Sequence, residues 1–293
     1  MLAFSLLDLL PGGPETALLG GKPATPAARA EIRAQFHLDE PFLTQYWIWV
    51  RGAVNGDFNR SVVGQQPVSA IIVQRLPITA ELAVYGLLLA LIFGVPLGLW
   101  AGMRRAGVVD RSVTVVTLLG FSVPPFAVGT LLLYVFAVRY GWFPVLGAGS
   151  GIGSRLVHLT LPAIALAFAT AAFVIRQTRA ATVDVANQDF ITFARARGLS
   201  PQRIWSRYVL RSAALPILTT AGLMLGASLG GLVLIEQTFT VPGLGSLLVN
   251  AVQDKDVPVV QALAVLSAAL VAVTLLIVDA LSFVFDPRLR RQR

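Results

Sequence analysis

The chain is 293 residues long, 56% hydrophobic and only 13% charged, with a mean hydropathy of +0.74, a balance that excludes an ordinary water-soluble globular protein. It has no cysteine, which excludes disulfides, thiolate metal sites and cysteine nucleophiles. Its net charge of +8 would point to nucleic acid in a soluble protein, but in so apolar a chain the placement of the charge matters more than its size, and no nucleic-acid partner is expected.

Residues 1–10, MLAFSLLDLL, are apolar but reach only about 15 Å as a helix, half of a roughly 30 Å hydrocarbon core. They lack the basic start and the small-residue cleavage site of a signal peptide. They read as part of a first transmembrane helix whose beginning is missing from this sequence, with an interfacial stub as the alternative. Residues 11–78 are the one soluble-looking stretch, with PGGP, GGKPATP and Asn55-Gly56 as turn signals and a helical pattern from Pro26 through His37. Tyr46, Trp47 and Trp49, set among Ile48 and Val50, form an amphipathic element of the kind that settles at a membrane interface. About seventy residues can cap the outer mouth of a membrane protein but cannot build a large independent domain.

Five apolar runs follow, 79–101, 113–138, 156–175, 212–235 and 257–278, each long enough to cross the bilayer as a helix. The expected fold is therefore all-α: a polytopic helical membrane protein with five full transmembrane helices, a truncated first helix, a core over 79–286 and a tail at 287–293. Gly94, Gly98 and Gly102, and again Gly222, Gly226 and Gly230, repeat at four-residue spacing and make grooves for close helix approach, within the chain or to a second subunit. Ser122-Val123-Pro124-Pro125 breaks the run 113–138 and leaves backbone groups that must find neighbours or line a cavity.

Lysine and arginine are distributed unevenly across these runs. Three lie in 103–112, seven in 176–211 and four after Asp286, all on one side of the proposed topology, against three in the short loops 139–155 and 236–256 on the other side. The long segment 11–78 holds the remaining six, and long segments largely escape the charge rule. The expected localisation is the plasma membrane, multi-pass, with the 176–211 loop and the C-terminus cytoplasmic.

That central loop has its own internal order. Phe190, Ile191, Phe193 and Ala194 recur at helical spacing, stop at Gly198, and resume as Ile204, Trp205, Tyr208 and Val209. The pattern predicts helix, turn, helix across 184–211, with Gly198 in the left-handed conformation, Ser200 as cap and Pro201 at the first position of the second helix. Both short helices carry an apolar face and an arginine face, and helices this short need something to dock on. The chain has no GxxxxGK[ST] phosphate loop, so an ATP-driven reading requires a separate motor subunit.

DFITFARARGLSPQRIWSRYVL, residues 189–210, resembles the coupling-loop signature of permease subunits of ATP-binding-cassette importers. The resemblance is closest to the first permease subunit of the dipeptide and oligopeptide group, and it covers nearly the whole chain: FHLDEPFLTQYWIWV, LIEQTFTVPGLGSLLVNAV and VDALSFVFDPRLR all look like stretches of that family in the same order. The family's Glu-Ala-Ala triplet falls on Thr192, Phe193 and Ala194, and its glycine on Gly198; the acidic first position is lost, so no salt bridge to the ATPase is expected from it. The later Leu-Pro falls on Leu210 and Arg211, with a Leu-Pro pair instead at Leu215 and Pro216. The resemblance implies a coupling loop that includes Asp189, Thr192, Phe193, Ala194, Gly198, Leu199 and Ile204 and seats in a cleft of the ATPase. It also implies a homologous second permease, two ATP-binding-cassette ATPase subunits that use the ATP, an extracytoplasmic solute-binding protein, and no cofactor or metal on this chain. Dipeptides or oligopeptides are the expected cargo, with nickel or another small solute as the alternative within the family.

Glu81, Pro124, Pro125, Glu236 and Asp279 are the candidate pathway or gate residues, because each is a charge or a helix break in or beside an apolar run. For Glu81 and Glu236 simple solvation at a helix end is the competing reading. Asp279 lies near the cytoplasmic end of the last run, where an unpaired charge can cost roughly 3 kcal/mol at the membrane centre, so pairing with a tail arginine is expected. Two rival functions come from other classes. Gly226-Ala227-Ser228-Leu229-Gly230 matches the GxSxG elbow of serine hydrolases, with His158 as the base, but the elbow requires a strand and a sharp turn where a membrane helix is predicted. A stand-alone channel or ion-driven carrier needs buried charges and half-helices around a midplane site, and the runs offer little charge.

Overall fold

The computed structural model describes Phe4 and residues 25–285, and the partial first helix expected over 1–10, apart from Phe4, and the tail at 287–293 lie outside them. The described residues are helical, with one isolated antiparallel bridge between Arg60 and Pro67. Two short helices, α1 (Pro26–Gln35) and α2 (Phe42–Val54), precede α3 (Val68–Met103), 36 residues long. Helix α3 begins ahead of the apolar run expected from 79, because Gln74, Arg75 and Pro77 interrupt the run without interrupting the helix.

The run 113–138 is not a straight crossing. It forms α4 (Val108–Ser122) and α5 (Pro125–Leu132, continued by a π-type turn Leu133–Arg139), and the two halves meet at 97°. Pro124 and Pro125 supply no backbone N–H and hold Val123 extended, so the corner is sharper than the kink the sequence predicts. Then come α6 (Ile152–Ala186), α7 (Asp189–Ala196), α8 (Leu210–Thr238), α9 (Leu244–Gln253) and α10 (Val257–Phe285). Among the described residues four helices are long and apolar enough to cross a membrane, and the bent pair makes five.

The chain divides into two compact units, residues 1–79 with 242–269 and residues 80–241 with 270–293. In the first, the Phe4 ring lies 5.5 Å from Phe42 and 5.7 Å from both Tyr46 and Trp49, and the Gln261 amide donates to the Phe4 carbonyl at 3.2 Å. Buried Asp256 accepts hydrogen bonds from the Ser61 hydroxyl and the Val62 amide, clasping the 57–67 turn to the start of α10. The outward face of α2 leaves Leu43, Trp47 and Val54 exposed, as an interfacial element requires.

In the second unit the small residues set the packing. Gly86, Gly94, Gly98 and Gly102 of α3 face Leu166, Val174, Thr178 and Thr182 of α6, a constant offset that makes the two helices parallel and in close contact. This glycine row packs within the chain. On α4, Gly120 faces Ala172, and Val113 shares a core with Ala101 and Ile175, so α4 runs antiparallel to α6. Helix α8 also runs antiparallel to α6, through Ala213 and Ile217 beside Ala181 and through Gly231 beside Leu166. In the second glycine row Gly222 abuts Val278 of α10, Gly226 only touches Val271, and Gly230 faces open space. These directions bring the arginine-bearing turn 104–107 and segment 187–200 to the same end as the C-terminal end of α10.

Candidate functional site

The site is built on the segment joining α6 to α8. Helix α7 begins at Asp189, a carboxylate in the first turn that complements the positive end of the helix. It stops in a Schellman arrangement: Gly198 has φ +72°, its N–H donates to the Arg195 carbonyl (2.9 Å), and the Leu199 N–H donates back to Ala194 (3.2 Å). Pro201 takes the first helical position as expected, while Ser200 occupies the cap position without a side-chain hydrogen bond, its carbonyl accepting from Arg203 and Ile204 instead.

Two expectations about this segment are corrected. The second helix is not a separate short one: the turn Pro201–Ile204 passes through a π-type turn, Trp205–Val209, into α8 without a break, so this half of the segment is the direct extension of a membrane helix. Nor is the whole apolar face free for a partner. Ile191, Ala194, Ile204 and Val209 are buried together, with Leu99 of α3, Val185 of α6, Leu199, Trp205 and Tyr208 packed around them. What α7 leaves outward is Phe190, Phe193 (69% exposed), Thr192 and Asp189, and Arg195, Arg197, Arg203 and Arg207 of the same segment are exposed as well. The sequence pattern finds the apolar residues but cannot tell which of them the chain keeps for itself.

The sequence reading missed one polar contact entirely. Residues 176–186, counted there as loop, are the last turns of α6, and Arg179 among them grips Asp110 with two hydrogen bonds, Nε to Oδ1 at 2.5 Å and Nη2 to Oδ2 at 2.8 Å. Asp110 is 6% exposed, and its Oδ2 also accepts the Ala106 N–H at 3.0 Å. A lone carboxylate in the first turn after an arginine-rich loop was the available signal.

The candidate pathway residues do not form one site. Glu81 pairs with Arg155 Nη1 at 2.7 Å on the wall of a cavity of about 670 Å³ between α3 and α6. Pro124 and Pro125 line a separate cavity of about 330 Å³, edged by Phe121 and Phe173 in a perpendicular contact (4.8 Å, 88°). Glu236 is fully buried, 0% exposed, which removes the competing reading of a solvated helix-end carboxylate. Asp279 is exposed on α10, and the tail arginines expected to pair with it lie outside the described residues. Ser228 sits mid-helix in α8 with its hydroxyl donating to the Leu225 carbonyl (2.7 Å), and His158 Nδ1 is bonded to the Ser154 carbonyl (2.8 Å). A serine satisfied inside a continuous helix is no nucleophile elbow, so Ser228→Ala should leave solute uptake within about twofold of the parent, measured as initial rate in vesicles.

Residues 94–291 match the family described as binding-protein-dependent transport system inner membrane component, and residues 1–83 match its N-terminal companion. The chain belongs to this family. It is 38% identical over 295 residues to the oligopeptide transport system permease protein AppB of Bacillus subtilis, covering 99% of this chain and 93% of that one. It is 37% identical over 290 residues to the glutathione transport system permease protein GsiC of Escherichia coli K12, with coverage of 99% and 93%. In fold it resembles a chain of the inward-facing MetNI methionine transporter, with a TM-score of 0.64, 17% identity, and coverage of 74% of this chain and 96% of that one. A second likeness, to an amino acid ABC transporter, has a TM-score of 0.52 at 17% identity, covering 75% and 94%. The protein is thus a multi-pass membrane permease and a transport component, not an enzyme, and the hydrolase reading is set aside.

Proposed function

We propose that this permease is one half of the translocation pathway of an ATP-driven importer of dipeptides or oligopeptides, with a homologous permease as the other half. Two ATP-binding-cassette ATPases dock beneath it on the cytoplasmic side, and a solute-binding protein delivers cargo to the outer face near residues 25–78. The observation that carries this reading is the α7 surface. Phe190 and Phe193 stand outward from a helix that is braced on its other face by α3, α6 and the continuous start of α8. A push on that face moves three membrane helices together, which is what a power stroke needs. The peptide cargo is supported by the oligopeptide permease AppB and the glutathione permease GsiC, relatives at 38% and 37% identity over almost the whole chain.

The chain binds no cofactor of its own in this reading; ATP is consumed by the partner subunits. The arginine-rich end of the permease faces the cytoplasm, and α2 rests its exposed Trp47 and Leu43 in the outer interface. Uptake of labelled dipeptide by proteoliposomes holding the complete complex tests the assignment, with nickel as the competing cargo. Uptake of dipeptide that requires ATP and the ATPase subunits is the expected result. Nickel uptake alone would replace the cargo, and dipeptide uptake without any ATPase would replace the mechanism with a self-sufficient carrier.

Docking makes its own prediction. Phe193→Arg puts a charge at the centre of the exposed apolar face without touching the internal core, so the variant should insert and fold normally yet lose roughly 2 kcal/mol or more of ATPase affinity. Co-purification of the ATPase with the tagged permease reads this out directly; an undiminished ATPase yield would place the docking surface elsewhere.

A further inference from the structure

The coupling core contains residues of α3, α6, α7 and the turns 201–209 that lead into α8, but none from α4. Yet α4 leads to the corner at Pro124 and Pro125, where a cavity opens beside Phe121. We propose that Asp110 is the positioning residue that makes α4 follow the coupling loop, an inference that rests on the coupling reading above.

The carboxylate of Asp110 collects three donors from two places and so ties three elements together. The Ala106 N–H comes from the turn after α3, the guanidinium from α6, and Asp110 itself sits in the first turn of α4. Seven residues beyond Arg179, α6 ends at Ala186, and Val185 in that last turn is already packed on the coupling core. Above the ion pair the α4–α6 contact is apolar and small: Val113 against Ile175, and Gly120 against Ala172. Contacts of that kind hold two helices close but let them slide along or turn about each other. A side-on arginine–carboxylate fork fixes both distance and angle, so it converts a sliding contact into a joint. Displacement of the α7 core therefore reaches α4 at its inner end through Asp110, and α4 carries it to the corner. The energetic return of such a part-exposed pair as mere glue is small, whereas its geometric specificity is high.

The test uses the complete complex in proteoliposomes, with assembly, ATP hydrolysis and solute taken up per ATP measured on the same preparation. Asp110→Asn keeps the size and the bond from Ala106 but removes the charge-assisted fork. Assembly and hydrolysis should stay within about twofold while uptake per ATP falls about tenfold, the size of a typical coupling between sites. Arg179→Lys, which keeps the charge without the fork, should fall in between. Unchanged uptake per ATP in Asp110→Asn would overturn the inference, as would assembly and uptake falling in proportion, the mark of a purely structural pair. Failure of the coupling reading itself looks different: uptake by the parent complex would then be indifferent to ATP.

Discussion

Gly198→Val should abolish most solute uptake while leaving the permease in the membrane. The residue sits at φ +72° with open space around its Cα, so the penalty is conformational and not a clash. A β-branched residue in the left-handed region costs roughly 1–2 kcal/mol and is the poorest fit among L-residues. If the chain escapes that cost by leaving the left-handed conformation, the bonds from Gly198 to Arg195 and from Leu199 to Ala194 go with it. Leu199 then leaves the core it shares with Ile191 and Ile204, and α7 changes its angle to the start of α8. Uptake per ATP should drop at least about tenfold, because 1.4 kcal/mol in the competent population already gives that factor. Gly198→Asn, which tolerates the left-handed region, should restore much of it. Parent-level uptake in the valine variant would mean that the bend after α7 is not part of the power stroke.

The second large effect is on folding. A methyl group at Gly98 would lie 2.7 Å from the Ile175 carbonyl oxygen and 2.7 Å from the Thr178 Cβ, and the carbonyl belongs to a helix backbone that cannot rotate away. Helices α3 and α6 would have to separate along a row that runs from Gly86 to Gly102. Overpacking of this kind costs about 1–3 kcal/mol, and a leucine should exceed it. Gly98→Leu should therefore lower the thermal midpoint of the purified permease by several degrees and reduce its level in the membrane. Gly230→Ala is the control at an uncrowded position: beyond its chain neighbours and its own helix backbone no atom lies within 4 Å of the added methyl, so its stability should be unchanged or slightly raised. Equal behaviour of the two variants would contradict the parallel α3–α6 packing.

These two glycines also mark where sequence reading stops. Both rows have the same four-residue spacing, and spacing alone assigns them the same role; only the facing atoms show that Gly98 is pressed against a neighbour and Gly230 is not. Local chemistry was legible. The Gly198 bend and Pro201 at a helix start follow from backbone preferences of single residues, and the fold class follows from apolar run lengths. Features made by distant residues were not. Ile191 and Ala194 turn inward because Leu99 and Val185 arrive beside them, and nothing near position 191 says so. The joining of the helix that follows Gly198 to α8 depends on the wide turn Trp205–Val209, which still carries the apolar spacing of an ordinary helix. Asp110 and Arg179 are 69 residues apart, and each alone reads as a solvated charge.

A power stroke delivered through α7 requires the arginine-rich end of the permease to lie where a cytoplasmic motor can reach it. The chain has no cysteine, so a single one introduced at Arg197, exposed beside the bend, reports its side of the membrane without background. A membrane-impermeant maleimide should label Arg197→Cys in inside-out vesicles and spare it in intact cells. Labelling in intact cells with protection in inside-out vesicles would put the coupling segment outside, out of reach of ATP and its motor.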